Sequence, residues 1–299
     1  MANFVISTQL IRSLYLMNNR ASHTMKKLLA LILLLAFANG NAQDIKVLSY
    51  NIRLDVASDA ENRWDNRKEM LTAQVTKLSP DFMGVQEALP QQMDYLDDNL
   101  KKYDYIGVGR DDGKREGEFS AIFYDKSKYK VLQQSTFWLS ETPEKVSFGW
   151  DAACRRVCTY GLFENLKTKQ KIWIFNTHFD HVGNVARVNS AKLILKKIKE
   201  LNLNNFPFVL TGDFNLEDDS ESIKLIASKL NDSKIAAEKV SGPVATFNAF
   251  KVEEKATKRI DYIFVPKNIR VTEYKVLQEV KNNRYPSDHF PVYAELKLK

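Results

Sequence analysis

Cysteine is almost absent from the 299 residues: only Cys154 and Cys158 occur, in the segment CRRVC. That excludes a disulfide scaffold, and with no second pair it excludes a structural zinc site. On one extended strand the two thiols would face the same way with Cα atoms ~13 Å apart, beyond disulfide reach. Buried free thiols are therefore expected. Long apolar runs are also lacking. The run from Leu28 to Ala38 is eleven residues. As a helix it covers ~16 Å, against ~30 Å for a bilayer core.

That short run follows Lys26 and Lys27 and precedes Gly40-Asn41-Ala42, the make-up of a secretory signal peptide. Residues 1–42 are expected to be removed, with Met25 as the natural start and residues 1–24 an over-long beginning. No cysteine follows to carry a lipid anchor. An exported protein is expected, in the periplasm, at the outer surface or in the medium.

Acidic residues are missing from this leader as well. The chain has 44 basic and 37 acidic residues, a net of +7; without Arg12, Arg20, Lys26 and Lys27 the balance is 40 to 37, or +3. Such a balance does not demand steering of a polyanion. Nor does any basic arm with interleaved aromatics mark a committed nucleic-acid binder. From Asp44 onward there is no linker, repeat or low-complexity stretch, so residues 43–299 are expected to form one domain.

Strand-like and helical segments alternate along that domain. Period-two or β-branched stretches predict strands at 44–51, 82–85, 103–108, 120–124, 129–139, 158–164, 171–177, 208–210, 259–265, 269–277 and 291–298. Helical spacing predicts helices at 66–78, 90–100, 186–203 and 220–230. The mixture of hairpin-like neighbours and crossover helices fits two packed sheets with helices outside.

Short polar segments follow several of these strands, where a sheet scaffold presents a site. They are SYNIR (49–53), GVQE (84–87), NTHFDH (176–181), TGDFN (211–215), RIDY (259–262) and SDHFP (287–291). A lone carboxylate after a strand is usually a turn former or a helix cap. Here His178, His181 and His289, the histidines beyond the leader, all fall in these segments. The inventory suits phosphoester cleavage. Mg²⁺ takes one or two carboxylates and waters, an attacking water needs a base, and an imidazolium stabilises developing charge. Glu87, Asp213, Asp261, Asp288, His178, His289, Asn51 and Asn215 supply those parts. A set rich in carboxylates and amides disfavours zinc.

In order and spacing, these motifs resemble those of the endonuclease/exonuclease/phosphatase superfamily, from about Ile45 to the C-terminus, in its uncharacterised secreted bacterial branch. The resemblance implies a four-layer α/β sandwich, two packed, mainly antiparallel β-sheets flanked by helices, with the site at one edge. It implies Glu87 as the principal ligand of Mg²⁺ (or Mn²⁺ or Ca²⁺), with Asn51 beside it and Asp288 completing the metal site or supporting it. Asp213 would align or deprotonate the attacking water, and Asn215 would help to hold the phosphate. His178 would donate to a phosphate oxygen or to the leaving group, and Asp261 would orient His289 against the phosphate. Arg156 is in a position resembling a substrate-facing arginine, although a surface ion pair also accounts for it. His181 and Asp180 either contact substrate or cap the following helix. Trp138, Trp150 and the charged loop 109–120 are open between the cleft and ordinary structural roles.

The substrate expected is a phosphoester: nucleic acid, phospholipid or sugar phosphate. A secreted phosphodiesterase or nuclease is the leading expectation. A phosphomonoesterase or phospholipase-C-like enzyme is the alternative, and a non-catalytic binding module stands last, since Glu87, Asp213 and His289 are all retained. A monomer without a stable protein partner is expected.

Overall fold

The computed structural model describes residues 43–298; the leader predicted at 1–42 lies outside them. The strands are β1 (Gln43–Asn51), β2 (Phe82–Gln86), β3 (Tyr103–Ile106), β4 (Ile122–Asp125), β5 (Tyr129–Trp138), β6 (Val157–Asn165) and β7 (Lys171–His178). They continue with β8 (Phe208–Asp213), β9 (Asn231–Asp232), β10 (Ala237–Ser241), β11 (Asp261–Val265), β12 (Arg270–Val276) and β13 (Val292–Leu298). The helices are α1 (Lys68–Leu78), α2 (Pro90–Asn99), α3 (Asn184–Leu201), α4 (Glu221–Lys229) and the single turn α5 (Ser233–Ala236).

One sheet runs β10-β12-β13-β1-β2-β4-β3 and the other β5-β6-β7-β8-β11-β9. Among the described residues only β1–β2, β10–β12 and β7–β8 pair in parallel, so antiparallel pairing predominates as expected. Strand alternation makes the layers. In β1, Ile45 and Val47 pack between the sheets with Ile174, Val209 and Ile263, whereas Leu48 and Tyr50 pack outward with Leu71 and Val75 of α1. In β7 and β8, Trp173, Phe175 and Leu210 face Ala191, Ile194 and Ile226 of α3 and α4. The result is helix, sheet, sheet, helix.

The inward rows turn polar at one end of the sandwich, and there the sheets lie closest. A Cβ on Gly84 of β2 would stand 2.3 Å from Thr211 Oγ1 and 2.5 Å from Asn176 Oδ1 of the opposite sheet, so no side chain fits. Asn176 spans the gap. It donates to the Val85 and Ala121 carbonyls at 2.8 and 2.9 Å and accepts from Gln86 Nε2 at 2.7 Å. This buried amide seam fixes the spacing of the two sheets just below the site.

Both cysteines are free, Cys158 buried and Cys154 half-buried. Burial pushes the Cys158 thiol well up. Expected buried, Cys154 instead precedes β6 and reaches the cleft described below.

Candidate active site

The polar ends of the inward rows meet. Asn51 ends β1, His178 ends β7, Asp213 ends β8 and Asp261 begins β11. His178 pairs in register with Asp213, and Asp213 with Asp261, so the three stand side by side across neighbouring strands. Just beyond the strands, Arg53, Glu87 and Asn215 adopt left-handed backbone with φ of 57°, 65° and 52°. Asp288 and His289 come from the loop before β13, where Ser287 Oγ donates to the Asn51 carbonyl at 2.7 Å. Fully buried Arg67 of the turn before α1 ties these segments together. It donates to the carbonyls of Ile52, of Asn62 at 2.9 Å, of Arg53 at 2.6 Å and of Pro286 at 3.1 Å.

These residues surround a cleft of about 460 Å³ whose lining includes Glu87, His178, Asp213, Asn215, Asp288 and His289. Asn51 and Asp261 stand behind its wall. His289 Nδ1–H donates to Asp261 Oδ2 at 2.9 Å, and its Nε2 faces Asp213 Oδ2 at 3.7 Å. Burial opposes charge on this ring, but Asp261 and Asp213 outweigh it and hold the pKa well above its ordinary value. Burial, then the Asp261 charge, pushes Asp213 up to about 7. The site thus sets a persistent imidazolium beside a carboxylate poised to take a proton near neutrality.

His178 is the opposite case. Burial, then the guanidinium groups of Arg156 and Arg110, hold its pKa well below the ordinary range, so the ring is neutral. Asn215 Nδ2 donates both to Phe179 O and to His178 Nε2, each at 3.0 Å. The Phe179 carbonyl fixes which end of the amide donates, so Nε2 accepts and the ring proton sits on Nδ1. That Nδ1 is buried and unpaired.

The donor set fits a hard divalent cation. Arg53 lies within 4.0 Å of Glu87 and 3.8 Å of Asp288, placing the two carboxylates in one small region. Glu87 stays ionised despite burial, its pKa lowered by the Asn51 amide, His289 and the Leu54 N–H. Burial pushes Asp288 up to about 6 against the pull of His289; a cation beside it would restore the charge. Asn51 Nδ2 points to Glu87 and Asp213 while its Oδ1 accepts from Arg53 N–H at 2.9 Å. Asn51 thus bridges carboxylates, and ligand atoms of Glu87, His178 and Asp213 lie within 4.8 Å of one another, close enough to hold a metal ion.

The remaining sequence candidates divide. Arg156 is buried in the cleft wall and exposed His181 stands at its mouth, with Arg156 Nη2 3.2 Å from His181 Nδ1. Asp180 is a clamp. Its carboxylate accepts from the backbone N–H groups of Ala153, Cys154, Val182 and Gly183 at 2.7–3.1 Å, and despite burial these pull it down to about 2. Trp138 is core, its indole N–H donating to Arg110 O at 2.7 Å, and Trp150 lies outside the cleft lining. Some lining residues escaped the sequence reading, three of them polar or aromatic. Glu118 comes from the charged loop 109–120, Lys258 precedes RIDY, and Phe247 packs edge-on to His289 at 5.0 Å. The charge density of that loop was the one signal available for Glu118.

A metal-supporting carboxylate cluster, a charged histidine and a neutral one at the edge of an αββα sandwich define a phosphoester hydrolase. The chain matches the model of the Endonuclease/Exonuclease/phosphatase family over residues 48–289, and it belongs to that family, whose members are phosphoester hydrolases that typically depend on a divalent metal. A family protein from Bacteroides vulgatus is 40% identical with a TM-score of 0.83, over 86% of this chain and all of that one. A mannosyl-6-phosphatase from Bacteroides thetaiotaomicron is also 40% identical, with a TM-score of 0.81, over 84% of this chain and 99% of that one. The Ccr4 exoribonuclease subunit of the CCR4-Not complex from Mycosarcoma maydis is 23% identical across 88% of this chain, and the match covers 52% of its own length.

Proposed function

We propose that this chain is an exported, Mg²⁺-dependent phosphomonoesterase acting on a sugar phosphate. The observation that carries the reading is the Glu118 carboxylate in the wall of the cleft, 14% exposed and beside His178 and Arg156. Its charge is paired with Arg110, and its Oε2 keeps a lone pair able to accept from a sugar hydroxyl. The 40% identity to a mannosyl-6-phosphatase supports the same substrate class. On this support we rank the monoesterase ahead of the phosphodiesterase expected first. Export rests on the composition of residues 25–42.

Glu87 and Asp288 would hold the divalent ion, which would supply neutralisation of phosphoryl-oxygen charge. Asp213 accepts a proton from the attacking water, His289 stabilises the charge that develops, and Asp261 keeps His289 oriented and protonated. His178 is a neutral donor toward the substrate. The test is phosphate release from mannose 6-phosphate beside cleavage of a chromogenic phosphodiester, each with Mg²⁺ or chelator and with His289→Ala as control. Metal- and His289-dependent monoester cleavage supports the proposal; cleavage of the diester alone overturns it in favour of a phosphodiesterase.

A further inference from the structure

Glu118 Oε2 sits at the centre of an incomplete polar constellation. It accepts from Arg110 Nη1 at 2.8 Å, and Arg110 Nη2 reaches the other carboxylate oxygen at 2.6 Å, so the group is held rigidly. Two more nitrogens approach the same oxygen, Arg156 Nη1 and His178 Nδ1, each at 3.9 Å. That is too far for a hydrogen bond. Both nitrogens are buried and neither has any hydrogen-bond partner, although a buried donor left unpaired costs about 1–3 kcal/mol. Arg156 is 6% exposed and His178 4%, and both line the cleft with Glu118. Two unpaired donors, each 3.9 Å from one carboxylate oxygen, suit a single hydroxyl, which accepts twice and donates once.

We infer that Glu118, Arg156 and His178 form a specificity subsite for one hydroxyl of the substrate's sugar, the hydroxyl nearest the phosphorylated carbon. The inference rests on the sugar-phosphate reading and deepens it. The hydroxyl accepts from Arg156 Nη1–H and His178 Nδ1–H and donates to Glu118 Oε2. An alkyl or aryl phosphate without that hydroxyl leaves Arg156 Nη1 and His178 Nδ1 unpaired, so discrimination comes from buried polar groups, the strongest means a pocket has of rejecting an analogue. Glu118 is then a binding residue whose effect depends on one group of the substrate.

The experiment is a cycle with one deletion on each side. kcat/KM is measured with a sugar 6-phosphate, with its analogue deoxygenated at the carbon next to C5 (the 4-deoxy sugar), and with phenyl phosphate, for the natural chain and for Glu118→Gln. The natural chain is expected to prefer the full sugar phosphate over the 4-deoxy analogue by at least about tenfold. In Glu118→Gln that ratio is expected to fall to within about threefold, because each deletion removes the same interaction. The substrate arm needs no variant, so it stands even if Glu118→Gln folds poorly, which its thermal melt reveals. Equal rates on the full and deoxy sugars, or a preference that survives in Glu118→Gln, overturn the subsite while leaving the sugar phosphatase intact. Cleavage of none of the monoesters, with diester cleavage retained, overturns the sugar-phosphate reading itself.

Discussion

The side-chain amide of Asn51 donates to Glu87 at 3.0 Å and to Asp213 at 2.9 Å, joining the carboxylate proposed to hold the metal to the one proposed as the base. One neutral group thereby damps repulsion between two buried anions. Asp213, raised to about 7, is protonated below that pH and able to act as a base above it. Turnover should climb as pH rises through about 7. Asn51→Ala removes a hydrogen bond that lowers this pKa, so the climb should move to higher pH and maximal kcat fall about 10²-fold. A pH profile of kcat that does not move overturns the link.

The partnership of Asp261 with His289 acts on the other limb. With its pKa held well above the ordinary value, His289 is charged throughout the neutral range and loses its proton only at high pH. Asp261→Asn removes the largest stabilising charge, so the loss of activity on the alkaline side should begin at lower pH. His289→Ala should lower kcat by about 10²–10⁴-fold. Both are read from kcat against pH, with circular dichroism to confirm the fold.

Metal dependence should depend on Glu87 above all. Glu87→Gln keeps the size of the side chain and removes a charge from the metal region. The Mg²⁺ concentration giving half-maximal activity should rise by about tenfold or more. The same titration with Asp288→Asn separates the two carboxylates. If neither variant changes the metal requirement, the ion is held elsewhere.

Asp180 should report in stability. Asp180→Ala leaves four backbone N–H groups without their acceptor, two of them at the start of α3. A loss of about 2–3 kcal/mol follows, or roughly 5–10 °C in Tm. The folded pKa of about 2 is below that of an unfolded aspartate, so this stabilisation is present above about pH 4 and lost as pH falls toward 2. The Tm difference between the two proteins should shrink across that window.

Much of this was legible in the residues because strand alternation does two things at once. In β1 the row Ile45, Val47, Ser49, Asn51 passes from core to site along one face, so the hydrophobic pattern that predicts the strand also aims its last side chain. The same holds for Ile174 and His178 on β7 and for Val209 and Asp213 on β8. The predicted segments accordingly became strands and helices within a few residues. What escaped had no such pattern. β9 is two residues long, and the exposed edge strand β10 (AEKVS) lacks an apolar face. Glu118 is aimed by a loop whose backbone follows from Arg110 and the turns at Gly113 and Gly117, not from periodicity. Nor could the sequence foretell that Asp180 would clamp a loop 26 residues earlier through Cys154 N–H.

The pairing of β1 with β13 carries a temporal consequence. Gln43 lies opposite Leu298 and Ser49 opposite Val292, contacts between residues more than 240 positions apart. Such distant contacts form late and slow the folding of a chain. Asp288 and His289 stand just before β13, so the site is complete only once β13 has paired with β1. Refolding from urea should restore helical signal ahead of activity.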